Sequence, residues 1–558
     1  MSAETDVLVF DMSSQSEGDA NIFCRRDFLS VLDNQNQSYS GNQSIIDTSQ
    51  IANSNKYINY RESFLSIPLL ITATGTGLTV PSSPPTTCSD FAFGLKNWLG
   101  QVIHSITVDY NGTTIIQQTP YQSLYNSFRL ITSLSYNDLL TQSASIGFWK
   151  DNALTFTWEE NLGTQNNYNY GANFQVTGVS SYQKGMANEG FVNRQLAFAY
   201  DPAVTPYSNL LSSNFCNQSY KSYIFKNSIA GTTLVYQQAI MGTIYLRHLH
   251  QFFDKVCLLK GVLLRITLML NQSSVSFTAA ASSNPTTVAF TNVVVNSPLG
   301  GVSPLMVANG SANQGSSTLL SGNYILSLAV GKSCLNQTQA TFAGVGTSPL
   351  SPSITLNVPA YTFAPMFETS YLSSPVKKIV YTDIYQYQVP LITKNSTYNQ
   401  LITNGIANIQ RVLILPYFAQ AGKNLQCSPI MSPFDTAGAT TSPLCILGNF
   451  QVQISGQNML YNQYQYTYNE WLQQLYGCLS TNGGLTDGLS SGLISQVDFE
   501  TLYNYYVVDC SRSLEVEQLV PKSVQILGQN FSSQDIQLYV FVEYGVEISL
   551  DILSGARI

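Results

Sequence analysis

Charge is scarce in this sequence: Asp, Glu, Lys and Arg together make up 10% of its 558 residues, where a typical soluble protein devotes roughly a quarter to them. Histidine is scarcer still, with three in the whole chain, His104, His248 and His250. Both shortages exclude function classes. The 24 Lys and Arg residues are scattered and the formal net charge is -8, so the clustered basic stretch that displaces counterions from a nucleic acid is missing. The pairs Arg25-Arg26 and Lys377-Lys378 are too short to supply one. "GLSSG" around Ser490 fits the G-x-S-x-G pattern, but that triad needs a histidine after the serine, and none follows His250.

Long hydrophobic runs are also missing. The longest candidate, "VCLLKGVLLRITLMLN", is interrupted by Lys260 and Arg265, which excludes an ordinary spanning helix. The first 20 residues are acidic and Ser-rich without an apolar core, so no signal peptide is expected there. Nine cysteines include no C-x-x-C pair; an odd count without that pair reads as reduced, mostly buried thiols, not as a disulfide framework or a zinc site. The sequons at Asn36, Asn217, Asn336 and Asn395 then follow from an Asn-, Ser- and Thr-rich composition. Gly331-Lys332-Ser333 lacks the glycine a phosphate loop needs five residues earlier, where Leu326 stands. His248 and His250 have no third ligand at a supporting spacing, and Glu159-Glu160 would point apart in a strand. The expectation is no catalytic residue, no cofactor and no metal ligand.

What the chain does have is apolar and amide-rich material: 44% hydrophobic residues, with 34 tyrosines. So few charges imply a surface largely covered by other subunits; the alternative is a secreted β-protein with a hydroxyl- and amide-rich exterior. Asn111-Gly112, flanked by Ile106, Val108, Ile115 and Ile116, predicts a tight hairpin. After Pro120, Tyr121, Leu124, Tyr125, Phe128 and Ile131 form a helical stripe. The same order returns with Val452 and Ile454, the turn Ser455-Gly456-Gln457-Asn458, and the stripe Tyr464, Tyr468, Trp471, Leu472 and Leu475. The tyrosines of "YNQYQYTYNEW" have no basic neighbours and read as packing residues.

Alternating stretches frame both copies. Leu65, Ile67, Leu69 and Ile71 begin one half, and Val262, Leu264, Ile266, Leu268 and Leu270 run late in it, after a short helix expected over Leu246, Leu249, Phe253 and Val256. The other half opens with Ile379, Tyr381, Tyr385, Tyr387 and Val389, Asp383 being the exception, and closes with Ile536, Leu538, Val540, Val542 and Tyr544, continued past Gly545. The fold class is therefore all-β: two consecutive eight-stranded antiparallel jelly-roll β-sandwiches with short helices and large loop insertions. The expected division is an N-terminal arm over 1–55, a first jelly roll over 56–364 with an insertion at about 272–350, a linker over 365–376 and a second jelly roll over 377–558. The polar segment 158–188 is expected to be an exposed contact loop.

Four stretches, "VIHSITVDYNG", "IYLRHLHQFFDKVCLLKGVLLRITL", "VPAYTFAPMFETSYLSSPVKKIVYTDIYQYQV" and "YYVVDCSRSLEVEQLVPKSVQILGQN", resemble the double jelly-roll major capsid proteins of the tectivirus and adenovirus lineage, in its polinton-like virus and virophage branch. The resemblance spans about 57–558. It implies a structural protein and not an enzyme: three copies form a pseudo-hexagonal capsomer, and capsomers tile an icosahedral virion shell. Its implied partners are itself, neighbouring capsomers, and penton and minor capsid proteins, with no direct nucleic-acid contact, and its implied place is the virion capsid after synthesis in the host cell. Large loops would form the outward tower, and the arm would tie neighbours together. The alternative is a virion-surface or extracellular β-sandwich that binds a glycan or receptor.

Overall fold

The computed structural model describes residues 22–76, 91–96, 98–150, 195–196, 222–228, 234–281, 288–299, 303–309, 322–331, 353–419, 445–461, 466–480, 491–501, 503–511, 519–532, 535–552 and 556–557. Its elements follow the periodicities of the sequence. In the first half these are β1 (Phe23–Leu32), β2 (Gln43–Asp47), β3 (Phe64–Thr76), β4 (Ile103–Tyr110), β5 (Thr113–Ile116), α1 (Gln122–Ser133), α2 (Tyr136–Ile146), β6 (Leu234–Tyr245), β7 (Leu264–Leu270), β8 (Ser273–Ala281), β9 (Val288–Asn296), β10 (Gly322–Val330) and β11 (Thr355–Phe363). One sheet has the order β1-β11-β3-β10-β8-β9, with β6 also paired along β3; a second has the order β2-β7-β4-β5, and a separate three-stranded sheet pairs Phe91–Leu95 with Leu305–Asn309 and Gln195–Leu196. Leu65, Ile67, Leu69 and Ile71 of β3 face Leu264, Ile266, Leu268 and Leu270 of β7 across one continuous buried core.

The second half repeats this plan. The helix α3 (Pro365–Leu372), with Pro365 in its first turn, leads into β12 (Val376–Ile392), β13 (Thr397–Ile406), β14 (Ile409–Phe418), β15 (Leu447–Ile454), β16 (Gln457–Asn458), α4 (Tyr468–Ser480), α5 (Gln496–Thr501), β17 (Tyr506–Asp509), β18 (Lys522–Asn530) and β19 (Ile536–Asp551). Its sheets are β12-β19-β14-β17 and β13-β18-β15-β16. The first strand lies beside the last in both halves, and the corresponding sheets have the same order when β1, β11, β3 and β6 are set against β12, β19, β14 and β17. Both hairpins turn on two residues with positive φ, Asn111 (46°) with Gly112 (84°) and Ser455 (50°) with Gly456 (83°), the geometry that matches the twist of adjoining strands.

Three expectations need correction. Residues 22–55, expected as arm, are mostly sheet and turns: β1 pairs with β11 from Phe23↔Phe363 to Leu32↔Thr355, and β2 pairs with β7. The strand was hidden because it is an edge strand, with Val31 its one fully buried side chain and Leu29 half-buried. The short helix expected over 246–256 is two single turns, Leu246–Leu249 and Phe252–Lys255, broken at His250. The strand expected to end near Pro359 continues to Phe363, with Pro359 opposite Phe28. Within 272–350, β8, β9 and β10 extend the first sheet as nine-residue strands. The expected loop at 158–188 lies outside the described residues.

Deleting residues 1–34 removes β1 and uncovers the edge of β11. The truncated chain is expected either to be insoluble or to melt at least ~10 °C below the full chain by circular dichroism.

Candidate functional site

Among the described residues, the two sandwiches meet along a seam built on one helix of the first and one sheet face of the second. Along β19, Leu538, Val540 and Val542 face the core of the second sandwich, and Tyr539, Phe541 and Glu543 point the other way, yet all six are buried. What covers the outer three is α1. Tyr121 meets Tyr539 edge-on with ring centroids 4.9 Å apart, Tyr125 meets Phe541 at 5.8 Å, and Phe128 meets Tyr505 at 4.9 Å. These positions are four and three residues apart and form one helical flank. The opposite flank is held to the first sandwich by hydrogen bonds: Gln122 accepts from the Ile106 N–H (3.2 Å) and donates to the Leu249 carbonyl (2.9 Å), and Gln101 donates to Ser127 (2.9 Å).

Polar groups fix the register of this seam. Arg411 on β14 and Glu543 on β19 are cross-strand partners joined by two parallel contacts, Nε to Oε2 at 3.0 Å and Nη2 to Oε1 at 2.8 Å. The guanidinium also lies 5.3 Å from the centre of the Phe128 ring of the first sandwich. Farther along, Asp383 is buried on β12 and collects three donors: the Ile384 N–H (2.8 Å), the Tyr544 hydroxyl (3.2 Å) and Nε2 of His250 (3.3 Å). Nδ1 of His250 accepts the Phe252 N–H at 3.2 Å, which places the ring proton on Nε2, facing the carboxylate. The Tyr381 hydroxyl donates to the Ile115 carbonyl (2.8 Å), Thr119 donates to the Ile384 carbonyl (3.2 Å), and the Thr382 N–H donates to Gln251 (2.5 Å).

The linker is fastened in the same way. Glu368 of α3 accepts from the Tyr57 hydroxyl (2.9 Å) and from Lys260 (3.0 Å), and that lysine holds its carboxyl below the usual range. Tyr371 donates to the Leu258 carbonyl at 2.8 Å. Past the end of α2, Lys150 pairs with Asp498 of α5, and at the far end of α1 the Leu493 N–H donates to the Ile131 carbonyl at 2.9 Å. Gly492, at φ +63°, lies so close that an added Cβ would sit 2.4 Å from the Thr132 carbonyl oxygen. The last glycine of "GLSSG" is thus required by chain packing; Ser490 itself lies outside the described residues.

The three histidines are separated in role. His104 is buried edge-on against Tyr121 at 5.2 Å, and burial pushes its pKa down to about 4. His248 is pushed down to about 3 by burial, with Arg247 and Arg129 adding to it, and its buried Nδ1 has no hydrogen-bond partner among the described residues. His250 belongs to the seam, so the pair does not converge on one site. Cys445 and Cys510 are buried, Cys257 is half-buried and Cys24 is exposed. Lys332, Ser333, Glu159 and Glu160 lie outside the described residues.

The seam uses one helix and one sheet face, and each has a counterpart in the other sandwich that is differently placed. α4, the counterpart of α1, buries Trp471, Gln474 and Leu475 but leaves Asn469 and Gln473 exposed, as is Thr467 just before it. The counterpart of the covered sheet face is the outer face of β1, β11, β3 and β6. There Phe28 (54% exposed), Phe64 and Tyr245 form an aromatic ladder with centroid spacings of 5.8 and 5.6 Å, and Arg247 lies 5.1 Å from the Tyr245 ring. Ser30, Asn357 and Ser66 form a hydrogen-bonded row beside it, at 2.8 and 2.9 Å.

Glu543→Gln leaves the Arg411 charge without its carboxylate at a buried seam. It is expected to cost about 3 kcal/mol in denaturant unfolding, the lower end of the range for breaking a buried pair. Acid acts through His104 and His248. Their folded pKa values lie below the ordinary 6.5, so the unfolded chain takes up protons first, and stability that is complete above about pH 6.5 is lost as pH falls toward 4. Between pH 7 and pH 5 each histidine is expected to cost about 2 kcal/mol, and His104→Gln is expected to flatten the stability-versus-pH curve over that interval.

No protein-family model and no curated protein matches the sequence. Solved structures do. A chain in the cryo-EM structure of the Sputnik virophage aligns at TM-score 0.51 and 10% identity, covering 98% of this chain and 90% of that one. The mavirus major capsid protein aligns at TM-score 0.43 and 10% identity over 98% of this chain and 93% of its own. The Faustovirus major capsid protein aligns at TM-score 0.43 and 11% identity over 96% and 91%. With one strand order used twice and a likeness to the Sputnik chain running through both halves, the fold is a double jelly roll.

Proposed function

We propose that this chain is the major capsid protein of an icosahedral virus, three copies of which form a pseudo-hexagonal capsomer that tiles the virion shell. The observation that carries the reading is the seam: two sandwiches of one plan are joined along a buried, aromatic and hydrogen-bonded interface, so the chain behaves as one two-lobed tile. Three such tiles present six lobes. A chain with 10% charged residues suits a protein that spends its working life against neighbours. The likeness to a chain of the Sputnik virophage agrees with this. In this reading residues 365–376 link a first sandwich, to which β1 and β2 belong, with a second over 377–558. Neighbouring capsomers, penton proteins and minor capsid proteins are the partners.

Light scattering of the purified chain is expected to give three times its mass of 61.3 kDa, and negative-stain images of that peak are expected to show a hexagonal outline. A stable single-chain particle would overturn the capsomer reading.

A further inference from the structure

All three histidines of the 558-residue chain border α1 or the seam that α1 makes. His104 on β4 lies edge-on to Tyr121 at 5.2 Å, and Tyr121 in turn meets Tyr539 of the second sandwich. His248 stands in the single turn Leu246–Leu249, whose last carbonyl receives the Gln122 amide of α1. His250 follows that turn and reaches Asp383 across the seam. Imidazole is the side chain whose charge ordinarily changes between neutral and mildly acid pH, so mild acid acts on this chain at one helix and its seam.

The two flanks of α1 are held unequally. Tyr121, Tyr125 and Phe128 press on the second sandwich as rings. By helical spacing the opposite flank carries Ser123, Asn126, Ser127 and Leu130, all buried. Gln101 donates to Ser127 on that side, yet Gln101 Oε1, Ser123 Oγ and Asn126 Oδ1 are buried with no hydrogen-bond partner among the described residues. Buried polar groups left unpaired weaken a contact, so the first-sandwich side is where α1 parts more easily.

His104 and His248 both belong to that side. His104 faces the Tyr121 phenol, which contacts Tyr539; burial raises the pKa of both phenols, so neither offers a negative charge. Burial also pushes His104 down to about 4. His248 faces Arg247 on its own turn, Arg129 on α1 and Asp254 on the next turn. Burial and the two guanidiniums push it down to about 3, and Asp254, paired with Arg61, opposes them. His250 faces Asp383, with the Tyr544 hydroxyl on the same carboxylate and the Tyr381 ring 5.8 Å away. A second proton on His250 leaves Nε2 against that carboxylate. We propose that α1 is an acid-released latch: protons on His104 and His248 free it from the first sandwich, and the lobes uncouple there while His250, Asp383 and the α3 linker keep them tethered. The device lies within one chain and goes beyond the capsid reading, on which it does not depend.

The open state takes up protons at the ordinary 6.5 and the closed state only near 4 and 3, so opening is favoured as pH falls below 6.5. From pH 7 to pH 5 each histidine raises the opening equilibrium about 20–25-fold, and the two together about 500-fold. Freed from its sandwich, a helix of 12 residues is too short to persist alone, so its amides exchange. The test is hydrogen exchange by mass spectrometry on the full chain at pH 7 and pH 5, with rates corrected for intrinsic chemistry. Peptides over 103–110 and 122–133 are expected to gain the 500-fold step and to exchange at pH 5 while peptides over 409–418 and 536–542 stay protected. His104→Gln or His248→Gln alone is expected to cut the step to about 20–25-fold, and the double variant to remove it. Equal protection of 122–133 and 409–418 at pH 5 means that the chain unfolds as a whole, and overturns the latch. A full step retained in the double variant overturns it too. The wild-type contrast needs no variant and decides the matter where a substitution prevents folding.

Discussion

Burial of α1 around its whole circumference couples the two sandwiches. One flank, Gln122 and Ser127, is hydrogen-bonded into the first sandwich, and the other, Tyr121, Tyr125 and Phe128, fills the outer face of the second. A helix with two committed flanks has no free rotation, so neither lobe moves without exposing aromatic surface. Fully burying one such ring is worth about 1.5–3 kcal/mol, and three of them face one sheet. The relative placement of the lobes is thus set by packing, and the linker helix follows it, with Glu368 and Tyr371 fastened to the first sandwich.

An apolar flank alone fixes distance better than position, since rings slide over rings at small cost. The polar contacts remove that freedom. Asp383 has its lone pairs directed at donors on three elements, one of them His250 from the opposite lobe; a shift along β12 would strand a buried carboxylate. Arg411 is held by Glu543 in a two-point contact and presents its flat face to Phe128. Such pairs add little net stability, because desolvation offsets attraction. Their effect is to make wrong registers expensive.

Much of this was legible in the sequence. The two hairpin turns and the helical stripe of α1 follow from Asn-Gly, from Pro120 and from the spacing of Tyr121, Tyr125 and Phe128. The closing strand carried a further signal: in "LYVFVEYGV" the residues of both faces are apolar or aromatic apart from Glu543 and Gly545, which marks a strand covered on both sides, and alternation alone identifies just one of them. Asp383 stood out as the lone carboxylate on an apolar face, and it proved to be the partner of His250. β1 was not legible, because an edge strand with one covered face shows the core only two of its ten side chains, Leu29 and Val31. The packing role of Gly492 was not legible, since rejecting the nucleophile elbow for want of a following histidine left no sequence signal for a close approach to a distant backbone.

The two helices that share one place in the repeated fold have diverged in a direction that physics accounts for. α1 works at a contact within one chain, made as that chain folds; a buried, aromatic surface suits it, as in obligate interfaces. α4 exposes Asn469 and Gln473 instead, with Thr467 beside them at its start. A newly folded chain must stay dissolved with those side chains and the Phe28 ladder in water, while few charges are present to keep molecules apart. Amides and hydroxyls with isolated aromatics such as Tyr461 meet that constraint: they hydrate well when alone and still offer hydrogen bonds and ring area to a partner. Scarcity of charge and abundance of tyrosine and asparagine are, on this view, one adaptation, to a surface that is wetted first and packed afterwards.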